Sequence, residues 1–166
     1  MVSLALAKQH LEYEASDRDD LINQYIAAAA AWVENYTGKR LTVGAVSDEF
    51  AEFGTYIVPS RGPFVSLTTI AYVDTDEAAA TVTGAKPVSG RIYPPETGWP
   101  EIAENTAITV TYQAGYASTP ADLVNAQLLL IGEYFANREA VNVGNITTEL
   151  PLAVESLCRP YRSLIV

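Results

Sequence analysis

Cys158 is the only thiol in the chain and His10 the only imidazole, and these are the residue types best suited to nucleophilic attack assisted by a general base. Such chemistry needs the two groups held together. His10 falls on a short terminal helix, far in sequence from Cys158. Cys158 stands at helical spacing from Val154 and Leu157, the pattern of a thiol that packs as a small apolar side chain. One His and one Cys cannot supply a zinc shell. Asp74, Asp76 and Glu77 open like a calcium loop, but the sixth and twelfth residues counted from Asp74 are Ala79 and Ala85, where that loop needs Gly and Glu. A charged hairpin turn fits these acids better. Gly84, Gly90 and Gly98 are too dispersed to cradle a phosphate ahead of a helix. Trp99 beside Pro100, with Tyr93 and Tyr112 nearby, could line a sugar-binding surface, although aromatics in a small sheet more often build its core. No spacing of acids favours a glycosidase pair. The expectation is a chain with no catalytic residue, no cofactor and no metal.

Composition bounds the elements that would position any site. The chain has 166 residues, 49% of them apolar, enough to fill one core without a metal or disulfide. Ten Lys and Arg against twenty Asp and Glu give a net charge of −10, which opposes attraction to nucleic acid or anionic lipid. The acids are spread along the chain, as in a solubilising surface. The N-terminal run MVSLALAKQHLEYE lacks the charged region and apolar core of an export signal, and no stretch is long enough to span a bilayer. A soluble, unexported protein with no membrane partner is expected.

Helical spacing predicts two long helices, over residues 17–37 and 120–140. Ser3 caps a short helix before them, running to His10 or Leu11. Ser16 and Asp19 form a capping-box-like pair for the first long helix, and Asp17, Asp19 and Asp20 suit the positive end of its dipole. Leu21, Tyr25, Ala29, Trp32 and Tyr36 give its stripe, the run from Ala27 to Ala31 admits a crossing helix, and Gly38 stops it ahead of Lys39 and Arg40. Thr119 as cap, Pro120 in the first turn and Asp122 start the second long helix. Val124, Leu128, Ile131 and Phe135 form one stripe on it, and Leu123, Leu130 and Tyr134 a neighbouring one. That arc is wider than one packed face needs, so the helix is either fully buried in its own domain or meets a neighbouring subunit.

Between the long helices the chain reads as short strands broken by Gly and Pro. Phe64 to Val73 shifts its apolar phase between Leu67 and Ile70, which predicts a bulge, while Ile108, Val110 and Tyr112 alternate cleanly. Shorter strands are predicted near Phe50, Tyr56, Ala80 and Arg91, with Pro59, Pro63, Pro94, Pro95 and Pro100 at edges or ends. The fold class is α+β: a helical core of two long helices plus short terminal helices, with a small antiparallel β block inserted between the long ones. One domain over 1–166 is expected, helical over 1–40 and 116–166, with the β insertion over 41–115.

A last short helix is predicted in ELPLAVESLCRPYR, with Pro151 in its first turn and Leu152, Val154, Leu157 and Tyr161 as its stripe. It is too short to stand alone and must pack on something. The run over residues 141–148 reads as flexible enough to carry it beyond its own subunit, and docking on its own domain is the alternative. On the first alternative, cutting the chain after Gly144 leaves a folded protein.

In order and spacing, AKQHL, DDLINQYIAAAAAWVENYTGKRL, PFVSLTTIAYVD, VTYQAGY, PADLVNAQLLLIGEYFANRE and ELPLAVESLCRPYR resemble the head-tail connector (adaptor, head-completion) proteins of long-tailed phages and gene-transfer particles. Together these motifs cover most of the chain. The resemblance implies a structural protein that forms a ring below the portal, with about a dozen copies meeting head to tail. It joins the DNA-filled head to the next neck or tail-completion protein and lets DNA pass without specific binding. It would assemble in the bacterial host cytoplasm and reside in the particle neck. By position in the motifs, Tyr25, Trp32, Leu128 and Tyr134 would make subunit contacts, and Leu152, Leu157, Arg159, Tyr161 and Arg162 would dock on the portal. Cys158 stands where an aliphatic residue is expected. The reading from a different class is a carbohydrate- or small-ligand-binding β module using the aromatic sheet, with a hydrolase after it.

Overall fold

The computed structural model describes residues 1–137 and 149–162, with the backbone alone for 149–151. Among them are four α-helices, α1 (Leu4–His10), α2 (Asp19–Thr37), α3 (Ala121–Ala136) and α4 (Glu149–Cys158), the last followed by a 3-10 turn at Arg159–Tyr161. Six strands lie between α2 and α3: β1 (Gly44–Phe50), β2 (Phe64–Val73), β3 (Ala79–Thr81), β4 (Lys86–Val88), β5 (Arg91–Tyr93) and β6 (Ile108–Ala114). The class is α+β, with the strands inserted between the two longest helices. The chain divides into two compact units, Met1–Leu41 with Ser118–Val166, and Thr42–Ala117.

In the helical unit, Ser3 caps α1 through its hydroxyl, which accepts from the Leu6 N–H. Gly38 ends α2 in the left-handed conformation at φ 70°, its N–H returning to the Glu34 carbonyl. The other two predicted caps are corrected. Arg18 holds the N-cap position of α2 with no side-chain bond, so the Ser16–Asp19 box does not form. Asp19 instead accepts from Lys8 Nζ at 2.8 Å, an interaction that ties α1 to α2. Helix α3 starts at Ala121, and the Thr119 hydroxyl is turned to the Leu41 carbonyl at 2.9 Å. A tertiary bond outcompetes the local cap. The last four residues of the predicted 120–140 helix follow Ala136; Asn137 caps the helix, and 138–140 lie outside the described residues.

The buried face of α2 is Ile22, Ile26, Ala29, Ala30, Val33 and Thr37, one position round from the predicted stripe. Leu21, Tyr25, Trp32 and Tyr36 are half-buried flanks. Small Ala29 and Ala30 let α3 pack closely, and each fully buried Ile contributes about 2 kcal/mol of apolar burial. From α3 come Leu123, Ala126, Leu130 and Ile131, with Gln127 buried among them. Its amide is satisfied at both ends, accepting from the Val2 N–H and donating to the Leu123 carbonyl, as a buried polar group must be. Helix α4 packs on α3, with Val154 and Cys158 fully buried.

In the strand unit, the four-stranded antiparallel sheet runs β1-β6-β2-β3 and a separate hairpin pairs β4 with β5. Strand β6 alternates buried and half-buried along its length, and the register of β2 shifts between Leu67 and Thr69, where the bulge is predicted. The short strands appear at β1, β3 and β5, and Ile57 makes a single bridge to Ile92. Strand β4 was not predicted, because Pro87 sits in it and it lies at the edge of a two-stranded hairpin, where a missing donor is tolerated. Gly115, at φ +135°, leaves no room for a side chain: a Cβ there would lie 2.2 Å from the Thr42 carbonyl oxygen.

Candidate functional site

The residues considered for chemistry are set in structural roles. The Cys158 thiol is buried and its pKa is pushed up to about 11 by burial, so at neutral pH it is a protonated packing group. His10 is exposed at the end of α1, its ring beside Gly132. Asp74 builds the β2–β3 turn, Oδ1 accepting from the Asp76 and Ala78 N–H groups. Among the described residues there is no group of three or more His, Cys, Asp or Glu placed to hold a metal, and no helix is long and apolar enough to cross a membrane.

The aromatic residues of the strand unit are engaged with one another. Trp99 stacks on Phe53 with centroids 4.6 Å apart and planes within 5°, and its indole N–H donates to the Gly54 carbonyl. Tyr112 is fully buried beside Phe64. Its hydroxyl donates to Asp48 and accepts the Arg61 N–H, and Asp48 also takes both the N–H and the hydroxyl of Ser60. This network ties the loop before β2 to the sheet. Burial raises the Tyr112 pKa. Tyr93 leans on Tyr56, whose face also carries Arg91 at 4.5 Å. With one face of Trp99 occupied and Tyr112 inside the core, these three residues form no shared platform for a sugar ring.

The helical unit carries the surfaces predicted for contact. Tyr25 of α2 and Tyr134 of α3 meet, with centroids 6.0 Å apart, and both are half-buried. Burial raises the Tyr134 pKa. Leu128 is half-buried on α3. Trp32 stacks on Tyr36 at 5.1 Å and 7°. In the C-terminal set, Leu152 is 65% exposed, Leu157 is half-buried and Arg159 is exposed. The Tyr161 hydroxyl donates to Asp122 at the start of α3, and the Arg162 guanidinium lies 5.5 Å from the Tyr36 ring centroid. Two predicted groups thus converge: Trp32, Tyr36 and Arg162 make one column at the C-terminal end of α2. At the other end, Tyr13 packs on Phe135 at 5.5 Å, with Arg18 near both rings. The Tyr13 hydroxyl donates to Asp17 and holds that carboxyl below its usual range. This second cluster escapes sequence reading, because Tyr13, Asp17 and Arg18 of the α1–α2 connection meet Phe135, more than a hundred residues on, at the end of α3.

The arrangement is that of a structural assembly protein, with half-exposed aromatic and apolar residues on helices that are already packed. Its class is the structural head-tail connector. The chain belongs to the head completion protein family, whose model matches residues 1–164. No curated protein matches it. Its fold is similar to a chain in the neck of an empty gene transfer agent particle computed with C6 symmetry, at TM-score 0.81 and 23% identity, covering 99% of this chain and 91% of that one. A chain in the virion of a native gene transfer agent particle matches with the same values. One from a native particle's neck computed with C12 symmetry matches at TM-score 0.79 and 22% identity, over 98% and 89%.

Proposed function

We propose that the chain is a single connector domain that closes into a ring of about twelve copies, seated between the portal and the next neck or tail-completion protein, through which DNA passes. The observation that carries this reading is the likeness, over nearly the whole chain, to a subunit of a neck computed with C12 symmetry. In this reading the protein works in the neck of the particle after assembly in the host cytoplasm. Tyr25, Trp32, Leu128 and Tyr134 serve contacts between copies, and Leu152, Leu157, Arg159, Tyr161 and Arg162 face the portal. Exposed Leu152 and half-buried Leu157 present apolar surface on a helix whose other face is already packed, which supports their use by a partner. No residue performs chemistry: the buried thiol is protonated and the imidazole is exposed on a different helix. A neck ring needs many copies, so counting them in purified particles is the test. About twelve per particle is the expected result, and one or two would end the proposal.

A further inference from the structure

The helical unit is electrically lopsided along α2. At its C-terminal end stand Lys39, Arg40 and Arg162, with Arg159 one turn before Arg162, four of the ten Lys and Arg in a chain of net charge −10; Arg40 pairs with Glu34, and Asp122 accepts from the neighbouring Tyr161 hydroxyl. Arg159 and Arg162 are exposed, and Arg162 lies on the column whose next members are Tyr36 and Trp32. At the other end, among the described residues, Glu12, Glu14, Asp17, Asp19 and Asp20 stand near two cations, Lys8 and Arg18, which pair with Asp19 and Asp17. Beside these acids lies an open groove of about 750 Å³ lined by Leu4, Ala5, Lys8, Gln9, Glu12, Tyr13 and Glu14, with the Lys8 ammonium held by Asp19. The nineteen residues of α2 separate the two ends by about 28 Å, so one copy cannot bring its own basic end to its own groove.

We propose that these two ends are the halves of one interface between copies of this chain, the Arg159–Arg162 end of one seated in the Glu12–Glu14 groove of the next. A contact between two different patches of the same molecule is heterologous, so it propagates from copy to copy and closes when the rotation allows. Opposite charge steers the encounter, and Leu4, Ala5 and Tyr13 in the groove receive the aliphatic stems of the arginines. The inference rests on the ring reading above but moves Arg159 and Arg162 from the portal face to the contact between copies, leaving Leu152, Leu157 and Tyr161 to the portal.

Two charge reversals test it, Arg159→Glu with Arg162→Glu, and Glu12→Lys with Glu14→Lys; all four positions are exposed, and circular dichroism checks folding. Sedimentation of the full chain at high concentration should show self-association that weakens at least about tenfold on raising the salt and in either variant alone. The first variant is acidic at both ends and the second basic at both, so mixing them should restore association. In assembled necks, carbodiimide should couple Lys39 of one copy to Glu12, Glu14 or Asp20 of another. If the mixture stays as dissociated as its components and the couplings join Lys39 only to other proteins, the interface is wrong. A copy count that shows no ring sinks the functional reading itself. An intact ring carrying either reversal sinks this interface alone.

Discussion

At the residue scale the thiol is the sharpest case, because one side chain had both a chemical and a packing reading. Its spacing from Val154 and Leu157 already pointed inward, and the structure buries it fully. The pH dependence follows from the sign of the shift. Folding raises the thiol pKa from an ordinary value near 9.0 to about 11, so the folded state binds the proton more tightly than the unfolded chain. Its contribution is fully present below pH 9 and is lost as pH climbs from 9 to 11, a window into which the raised tyrosines extend. Urea titrations at stepped pH should show a fall in stability that is shallower in Cys158→Ser. That variant should lose about 1–2 kcal/mol at neutral pH by burying a hydroxyl. Folded wild-type protein should react with thiol reagents at pH 8 far more slowly than unfolded chain. Particles carrying His10→Ala or Cys158→Ser should assemble nearly normally, and a folded His10 variant that fails to assemble would contradict a purely structural role. Other residue roles were not legible. The Asp48 clamp on Ser60 and Tyr112 joins positions far apart in the chain, and neither spacing nor composition marks such a carboxylate.

Legibility at the element scale follows from how local each determinant is. Ser3 and Gly38 act within one turn and were readable; so was the bulge in β2, written in the phase of its apolar residues. The failed caps at Ser16 and Thr119 share one cause, since each local bond competes with a long-range one that sequence does not display. The predicted stripe on α2 lies one position out because the amphipathic Tyr25, Trp32 and Tyr36 share the helical spacing but stay half-buried at the flank, whereas Ile22, Ile26 and Val33 fill the core. Helix α4 settles on its own unit, against α3. Its predicted reach across residues 141–148 falls outside the described residues, and its packing on α3 favours the alternative reading, docking on its own domain. Removing the buried Val154 and Cys158 uncovers the apolar surface of α3, at about 2–4 kcal/mol for the two side chains. A chain ending at Gly144 should therefore unfold at clearly lower urea with a smaller m-value. An unchanged midpoint would show that α4 adds nothing to the fold. Leu152→Ser, at an exposed position, should leave the midpoint unaltered while weakening attachment to portal-bearing heads. Full attachment by that variant would remove Leu152 from the docking surface.

For the whole molecule the deciding quantity is charge. In the proposed ring the protein must neither hold the duplex nor obstruct it, and binding to duplex DNA scales with the phosphates that Lys and Arg neutralise. Here the net charge is −10, and the four cations gathered at one end of α2 stand beside Glu34, which pairs with Arg40. If that end seats on a neighbouring copy, its charge is consumed in the interface, and the surface left to the channel is acidic. Free protein offers the most favourable case for DNA binding, because its basic end is uncovered. Even so, four cations give a modest salt slope and non-specific affinity no tighter than about 10⁻⁴ M at physiological salt, with the acids opposing it. Mobility-shift titration with a short duplex should therefore show no shift at micromolar protein. Arg159→Glu with Arg162→Glu should leave that result unaltered while weakening association between copies at least about tenfold, which separates a protein-binding cluster from a DNA-binding one. Submicromolar, salt-sensitive duplex binding that disappears in the same variant would reverse the assignment and make this end of α2 the wall of the channel.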